Sequence, residues 1–181
     1  MTRLFTEDQT KYWIVDGEYH RVDGPAVEYA NGDTKWYNHG KLHRIDGPAI
    51  EYADGDYEWY KHGQLHREQS DGPAVLSKHG MYKMWYCKDE LHRYNHPAIE
   101  YDNGDTKWYQ NGNLHREDGP AIDSMDGCKQ WYYKDKCHRE DGPAIVSVYG
   151  PNVWYLNGFK LSEEEHSTQT TLVKAASSTV N

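Results

Sequence analysis

The seven tryptophans of the chain are Trp13, Trp36, Trp59, Trp85, Trp108, Trp131 and Trp154, at intervals of 23, 23, 26, 23, 23 and 23 residues. Around each one the chain rewrites a single phrase. It reads WYNHGKLHRIDGPA from Trp36, WYKHGQLHREQSDGPA from Trp59, WYCKDELHRYNHPA from Trp85, WYQNGNLHREDGPA from Trp108 and WYYKDKCHREDGPA from Trp131. A first copy, WIVDGEYHRVDGPA, starts at Trp13, and a truncated seventh, WYLNGFKLS, at Trp154. A fixed period of this length marks an architecture in which each unit buries itself against its neighbours. The chain is therefore read as one quasi-linear array.

One unit shows the elements. Residues 49–52 alternate, with Ile50 and Tyr52 on one face, as a short strand does. Ala53-Asp54-Gly55 makes a turn, and residues 56–60 alternate again with Tyr57 and Trp59 on one face. Lys61-His62-Gly63 is a second turn, and residues 64–67 are a short extended piece. Asn31-Gly32 and Asn103-Gly104 separate the same segments in other copies, a strong hairpin signal. No segment shows sustained helical periodicity. The expected fold is all-β: an elongated single-layer β-hairpin repeat array, or solenoid, with one hairpin per 23 residues. Two strands advance roughly 10 Å, so six or seven units would make a rod about 60–70 Å long.

Residues 1–11 are polar and unpatterned and are expected to be an N-terminal cap or a frayed end. Residues 12–161 hold the seven copies. Residues 162–181 are expected to be a polar capping segment and tail, with a short helix at residues 172–176 covering the last hairpin. Copy three inserts residues at Glu68-Gln69-Ser70-Asp71, and copy four has Asn95-His96 in place of Asp-Gly. This is the least regular stretch.

Composition limits the core and the partners. Mean hydropathy is -1.06 and only 36% of residues are hydrophobic, but 14% are aromatic and sit in register with the repeat. A thin core of Trp, Tyr, Ala and Ile/Val is expected. Net charge is -9 without clustered Lys/Arg, so direct binding to nucleic acid is not expected. The acidity reads as solubility or as a face that competes for a basic surface. The three cysteines, Cys87, Cys128 and Cys137, hold no common repeat position, which argues against a disulfide framework. With no long apolar run and no apolar leader, a cytoplasmic protein is expected.

The column His-Arg-x-Asp-Gly-Pro-Ala carries the chemistry. One reading is constructional: Gly supplies an unusual backbone angle, Asp caps the turn, Arg pairs with Asp, and His stacks or bonds the loop backbone. The other is a ladder of His43, Arg44, His66, Arg67, His92, Arg93, His115 and Arg116 that recognises carboxylate or phosphate groups. Tyr60, Tyr86 and Tyr109 follow the tryptophans; their row is either covered by the curl of the ribbon or exposed and suited to protein recognition. Glu28, Glu51, Glu100, Asp33, Asp56 and Asp105 read as solvated strand positions. No metal site is expected, because the histidines of successive units lie too far apart to share one ion. Phosphate-loop, Gly-x-Ser-x-Gly and His-Glu-x-x-His motifs do not occur, so no catalytic residue, no cofactor and no enzyme is expected.

YANGDTKWYNHGKLHRIDGPA resembles a variant MORN repeat through its 23-residue period, Tyr-x-x-Gly-Asp turn, aromatic strand residue and Asn/His-Gly turn. The similarity covers about residues 13–158; His-Arg-x-Asp-Gly-Pro-Ala stands where the family has Gly pairs, a form similar to the MORN-like repeats of bacteria, bacteriophages and large DNA viruses. The resemblance implies a β-hairpin scaffold for protein or lipid contact, sometimes a dimer, without catalytic residues. The function expected is a non-enzymatic scaffold that binds, and inhibits or modulates, a protein partner along one face. The alternatives are a self-assembling or membrane-apposed scaffold, for which the acidic balance is unfavourable at an anionic membrane, and an acidic decoy of a nucleic-acid-binding protein. Homo-oligomerisation stays open.

Overall fold

The computed structural model describes residues 3–178. The protein is nearly all β, a series of antiparallel hairpins with one α-helix among the described residues, at Glu163–Ser178. It divides into two compact units, Met1–Arg93 and Tyr94–Asn181, and the division falls inside copy four.

In the first unit one antiparallel sheet runs Arg3–Glu7, Thr10–Val15, Val27–Glu28, Thr34–Lys35, Ile50–Glu51, Tyr57–Glu58, Val75–Leu76 and Tyr82–Met84. One hairpin per repeat joins this sheet, as the 23-residue period implies. The piece read from sequence as merely extended makes a second, smaller hairpin. These are Tyr37–Asn38 with Lys41–Leu42, Tyr60–Lys61 with Gln64–Leu65, and Tyr86–Cys87 with Glu90–Leu91. The second unit repeats the plan. Its sheet runs Ile99–Tyr101, Thr106–Lys107, Ile122–Asp123, Lys129–Gln130 and Ile145–Val146, with Val153 bridged to Ile145. Its small hairpins are Tyr109–Gln110 with Asn113–Leu114, Tyr132–Tyr133 with Lys136–Cys137, and Trp154–Leu156 with Phe159–Leu161.

Residues 56–60, expected as one strand, therefore break at Trp59. The tryptophan peptide is the splice between the two hairpins of a copy. Trp59 N–H donates to the Ala74 carbonyl at 2.8 Å, and the Trp59 carbonyl accepts from His66 N–H at 2.9 Å. Trp36 and Trp108 make the same two bonds with Ala49 and His43, and with Ala121 and His115. Each backbone group serves a different hairpin, so neither is left unpaired.

Of the thin Trp, Tyr, Ala and Ile/Val core expected, the aliphatic members are the most deeply buried. The fully buried column is alanine: Ala26, Ala49, Ala98, Ala121 and Ala144 are each 0% exposed. Val27, Ile50 and Ile99 extend it. Trp85 is buried at 5% exposure, but the other tryptophans are half-buried. Burial this complete leaves little room for a larger side chain at the alanine.

Turn chemistry follows the tight type with two left-handed residues. His39 and Gly40 have φ of 46° and 72°, and Asn111 and Gly112 have 50° and 76°. Copies four and six lack the glycine, and Asp89 and Asp135 take φ of 71° and 63° instead. Each then accepts a backbone N–H through its carboxylate, from Leu65 at 2.8 Å and Leu114 at 2.7 Å. That bond offsets the strain of a non-glycine residue in this region.

Residues 3–7, expected to be an unpatterned cap or frayed end, form a regular strand along residues 10–14. The helix is longer than expected and docks differently. Ser162 and Glu165 make a reciprocal cap: the Ser162 hydroxyl accepts Glu165 N–H at 3.2 Å, and Glu165 accepts Ser162 N–H at 2.8 Å. His166 and Thr170, one turn apart, are buried, whereas Leu172 and Val173 are exposed. Residues 179–181 of the expected tail lie outside the described residues.

Candidate functional site

Each Arg of the repeat column lies on the Trp of its own copy. The guanidinium of Arg44 is 4.1 Å from the Trp36 ring centroid, Arg67 is 4.1 Å from Trp59, Arg93 is 3.6 Å from Trp85 and Arg116 is 3.8 Å from Trp108. The guanidinium also meets a glycine. A Cβ on Gly47 would stand 2.7 Å from Arg44 Cζ, and one on Gly119 would stand 2.9 Å from Arg116 Cζ. These glycines have no left-handed φ, so the unusual backbone angle expected of them is absent. They are small because the guanidinium occupies the space of a side chain.

The Arg fork is occupied from within. Arg44 Nε donates to Asp46 at 3.0 Å, and its Nη1 donates to the Pro48 carbonyl at 3.3 Å and to Glu51 at 2.8 Å. Arg21 repeats this with Asp23, Pro25 and Glu28. Arg116 holds Asp118 at 2.8 Å and the Pro120 carbonyl at 3.3 Å. The guanidinium beside each of Asp23, Asp46 and Asp118 holds that carboxyl below its ordinary range.

Glu28 and Glu51, read as solvated, are thus Arg partners. Asp33, Asp56 and Asp105 are corrected similarly. Each accepts a backbone N–H from the following copy: Ala53 at 2.7 Å, Lys78 at 3.0 Å and Met125 at 2.7 Å.

The histidines link copies. His43 Nδ1 accepts the N–H of His62 at 3.2 Å, and the two rings stack at 4.5 Å. His115 is buried, and its Nδ1 accepts Lys134 N–H at 3.3 Å while Tyr133 meets its ring edge-on. His92 is buried, with its N–H on the Trp85 carbonyl at 3.0 Å. His66 differs: Nε2 lies 3.1 Å from Glu68, and the buried Nδ1 has no hydrogen-bond partner among the described residues.

The tyrosine row, open between exposed and covered in the sequence, is half-buried at Tyr60, Tyr86 and Tyr109. Tyr60 and Tyr52 donate their hydroxyls to the two oxygens of Glu58, at 3.0 and 3.1 Å. Burial, and then the Glu58 charge, push the Tyr52 hydroxyl up to about 12 and Tyr60 further up. Burial raises Tyr86 as well. Tyr109 is half-buried and pairs with Leu114 in its hairpin. Of the expected site residues, His43, Arg44, Tyr60, His66 and Arg67 line one groove.

That groove, of about 550 Å³, lies between the second and third His-Arg loops, with Trp59 and Tyr60 in its lining. A sister groove of about 830 Å³ lies between the first and second loops, with Trp36 and Tyr37 in the equivalent places. Residues 43–46 are the shared wall. The tips of the walls are apolar and exposed: Val22 at 91% and Ile45 at 92%. Sequence reasoning passed over these two because they occupy the variable position of the column, which is Glu in copies three, five and six. Among the described residues no group of three His, Cys, Asp or Glu side chains converges to hold a metal, and no helix is long and apolar enough to cross a membrane. The chain matches no protein-family model and no curated protein.

Proposed function

We propose that this protein is a non-enzymatic, MORN-like repeat scaffold that binds a protein partner across the loops of its first unit. The pair of grooves carries the reading. Two depressions one repeat apart offer half-buried aromatic rings, flanking charges and solvent-exposed Val22 and Ile45 at the rims. Aromatic and Arg-lined concavities with apolar rims suit an extended protein segment. The ladder is a weaker recognition face than its sequence implies, because most of its donors already have internal partners. The test is capture of proteins from source-cell lysate on the immobilised full chain, beside a Val22→Ser/Ile45→Ser variant with unchanged melting temperature. A protein retained by the first and lost by the second supports the reading; equal retention overturns it.

A second reading is self-association through Arg3–Glu7, whose outer edge pairs with no strand among the described residues. Two such strands related by a two-fold axis at Phe5 would place Arg3 opposite Glu7, a self-complementary pairing. Sedimentation of the Thr6→Pro variant checks it: an unchanged oligomeric state removes this reading.

A further inference from the structure

Arg67 departs from four of its siblings. Arg21, Arg44, Arg116 and Arg139 each give Nε to an aspartate two residues on, at 2.7 to 3.0 Å. Arg21 and Arg44 also hold a glutamate seven residues on. Arg67 has neither. Glu68-Gln69-Ser70-Asp71 lengthens the loop into a short helical turn at Gln69–Asp71, and Leu76 stands where the two preceding copies have Glu28 and Glu51. What remains is its seat on Trp59 and one bond, Nη1 to the Pro73 carbonyl at 3.1 Å. Among the described residues no carboxylate lies within 4.0 Å of this guanidinium.

The acids around it are engaged elsewhere. Glu68 meets Nε2 of His66 at 3.1 Å and Nζ of Lys61 at 3.6 Å. Asp71 accepts the Ser70 hydroxyl at 3.0 Å. Burial lowers the Arg67 pKa, and the Asp71 charge, which makes no contact within 4.0 Å, opposes that shift. A half-buried guanidinium, in a groove with exposed Ile45 at its rim, lacks the close carboxylate that those siblings hold on the Nε edge.

We propose that Arg67 receives a carboxylate side chain, aspartate or glutamate, carried by the protein partner into this groove. The sibling arginines show what that edge holds: four of them bind a carboxylate there. The planar fork matches a carboxylate in a bidentate pose, and Glu68 on the rim disfavours the greater charge of a phosphate. The assignment rests on the protein-partner reading for its source, but its chemistry is testable without the partner.

The full-length protein, isotope-labelled, is titrated with acetyl-Gly-Glu-Gly-amide while the arginine Nε–H resonances are followed. The Arg67 resonance is expected to move saturably while those of Arg44 and Arg116 stay in place. Deleting Gln69 and Ser70 restores the sibling spacing, puts Asp71 two positions after Arg67 and keeps the guanidinium on Trp59. That variant is expected to bind the tripeptide about tenfold more weakly or worse. An Arg67 resonance that moves no more than that of Arg44, or a deletion variant that binds equally well, overturns the proposal. So does a response to inorganic phosphate without one to the tripeptide. A responsive Arg67 beside a lysate capture indifferent to Val22 and Ile45 would keep the carboxylate seat and remove the partner reading.

Discussion

Arg44 is seated against both Trp36 and Gly47: the ring centroid lies 4.1 Å from its Cζ, and an added Cβ at Gly47 would lie 2.7 Å from the same atom. Gly47→Ala is therefore expected to push the guanidinium off the ring and loosen its bonds to Asp46 and Glu51. The cost should be about 1–3 kcal/mol, as for other overpacked sites. Urea denaturation measures it. Gly150→Ala, where a Cβ meets nothing within 4 Å and φ is not left-handed, is the control and should stay within about 0.5 kcal/mol.

His43 gives the array a pH response. Its Nδ1 must be unprotonated to accept the His62 N–H. Burial first, then the His62 and Lys61 charges, hold its pKa below 6.5. The unfolded chain then takes up the proton at higher pH than the folded one. The stability from His43 is complete above the unfolded value and is lost as pH falls through the lowered one. The difference in melting temperature between wild type and His43→Gln should narrow on going from roughly pH 7 to pH 5. A constant difference would remove His43 from the response.

Asp33 ties two copies together through the Ala53 N–H at 2.7 Å. Asp33→Ala leaves that donor without its acceptor and should cost about 1–2 kcal/mol. Asp33→Asn keeps an oxygen in place and should cost less. Chemical denaturation of the pair tests the order, and equal costs would mean that the bond is immaterial.

The C-terminal helix is held at His166, 3% exposed, whose Nε2 donates to the Arg139 carbonyl at 2.6 Å. His166→Ala should undock the helix, with faster amide exchange across residues 166–176 while the sheet amides keep their protection. Leu172→Ser, at an exposed position, should leave exchange unchanged.

The hairpins were legible because Asn-Gly, Asp-Gly and period-two alternation are local signals, and seven copies repeat them. The roles of the column residues were less so. Asp33 and Asp56 look solvated in isolation, because their acceptor bonds go to residues 20 and 22 positions away. Ala49 looks like an ordinary strand residue, yet it is fully buried while Trp36 and Trp59 are only half-buried. Gly47 suggested a special backbone angle, whereas it makes room for Arg44. The helix start was readable in Ser162-Glu163-Glu164-Glu165, but the apolar Leu172 and Val173 drew attention further along. Arg67 looked like one more copy of a ladder until the bonds of its siblings showed what it lacks.

The links from histidine to the next turn have a genetic consequence. His20 to His39, His43 to His62, His115 to Lys134 and His138 to Asn157 each span 19 residues. Each reach is shorter than one period. A duplicated block of one period therefore finds its acceptor in the block before it and supplies one to the block after. Whole copies can be gained or lost in frame without orphaning a bond, so the number of units is free to drift. An insertion within a copy is another matter: in copy three, where the loop after Arg67 is longer, the buried Nδ1 of His66 has no such partner among the described residues.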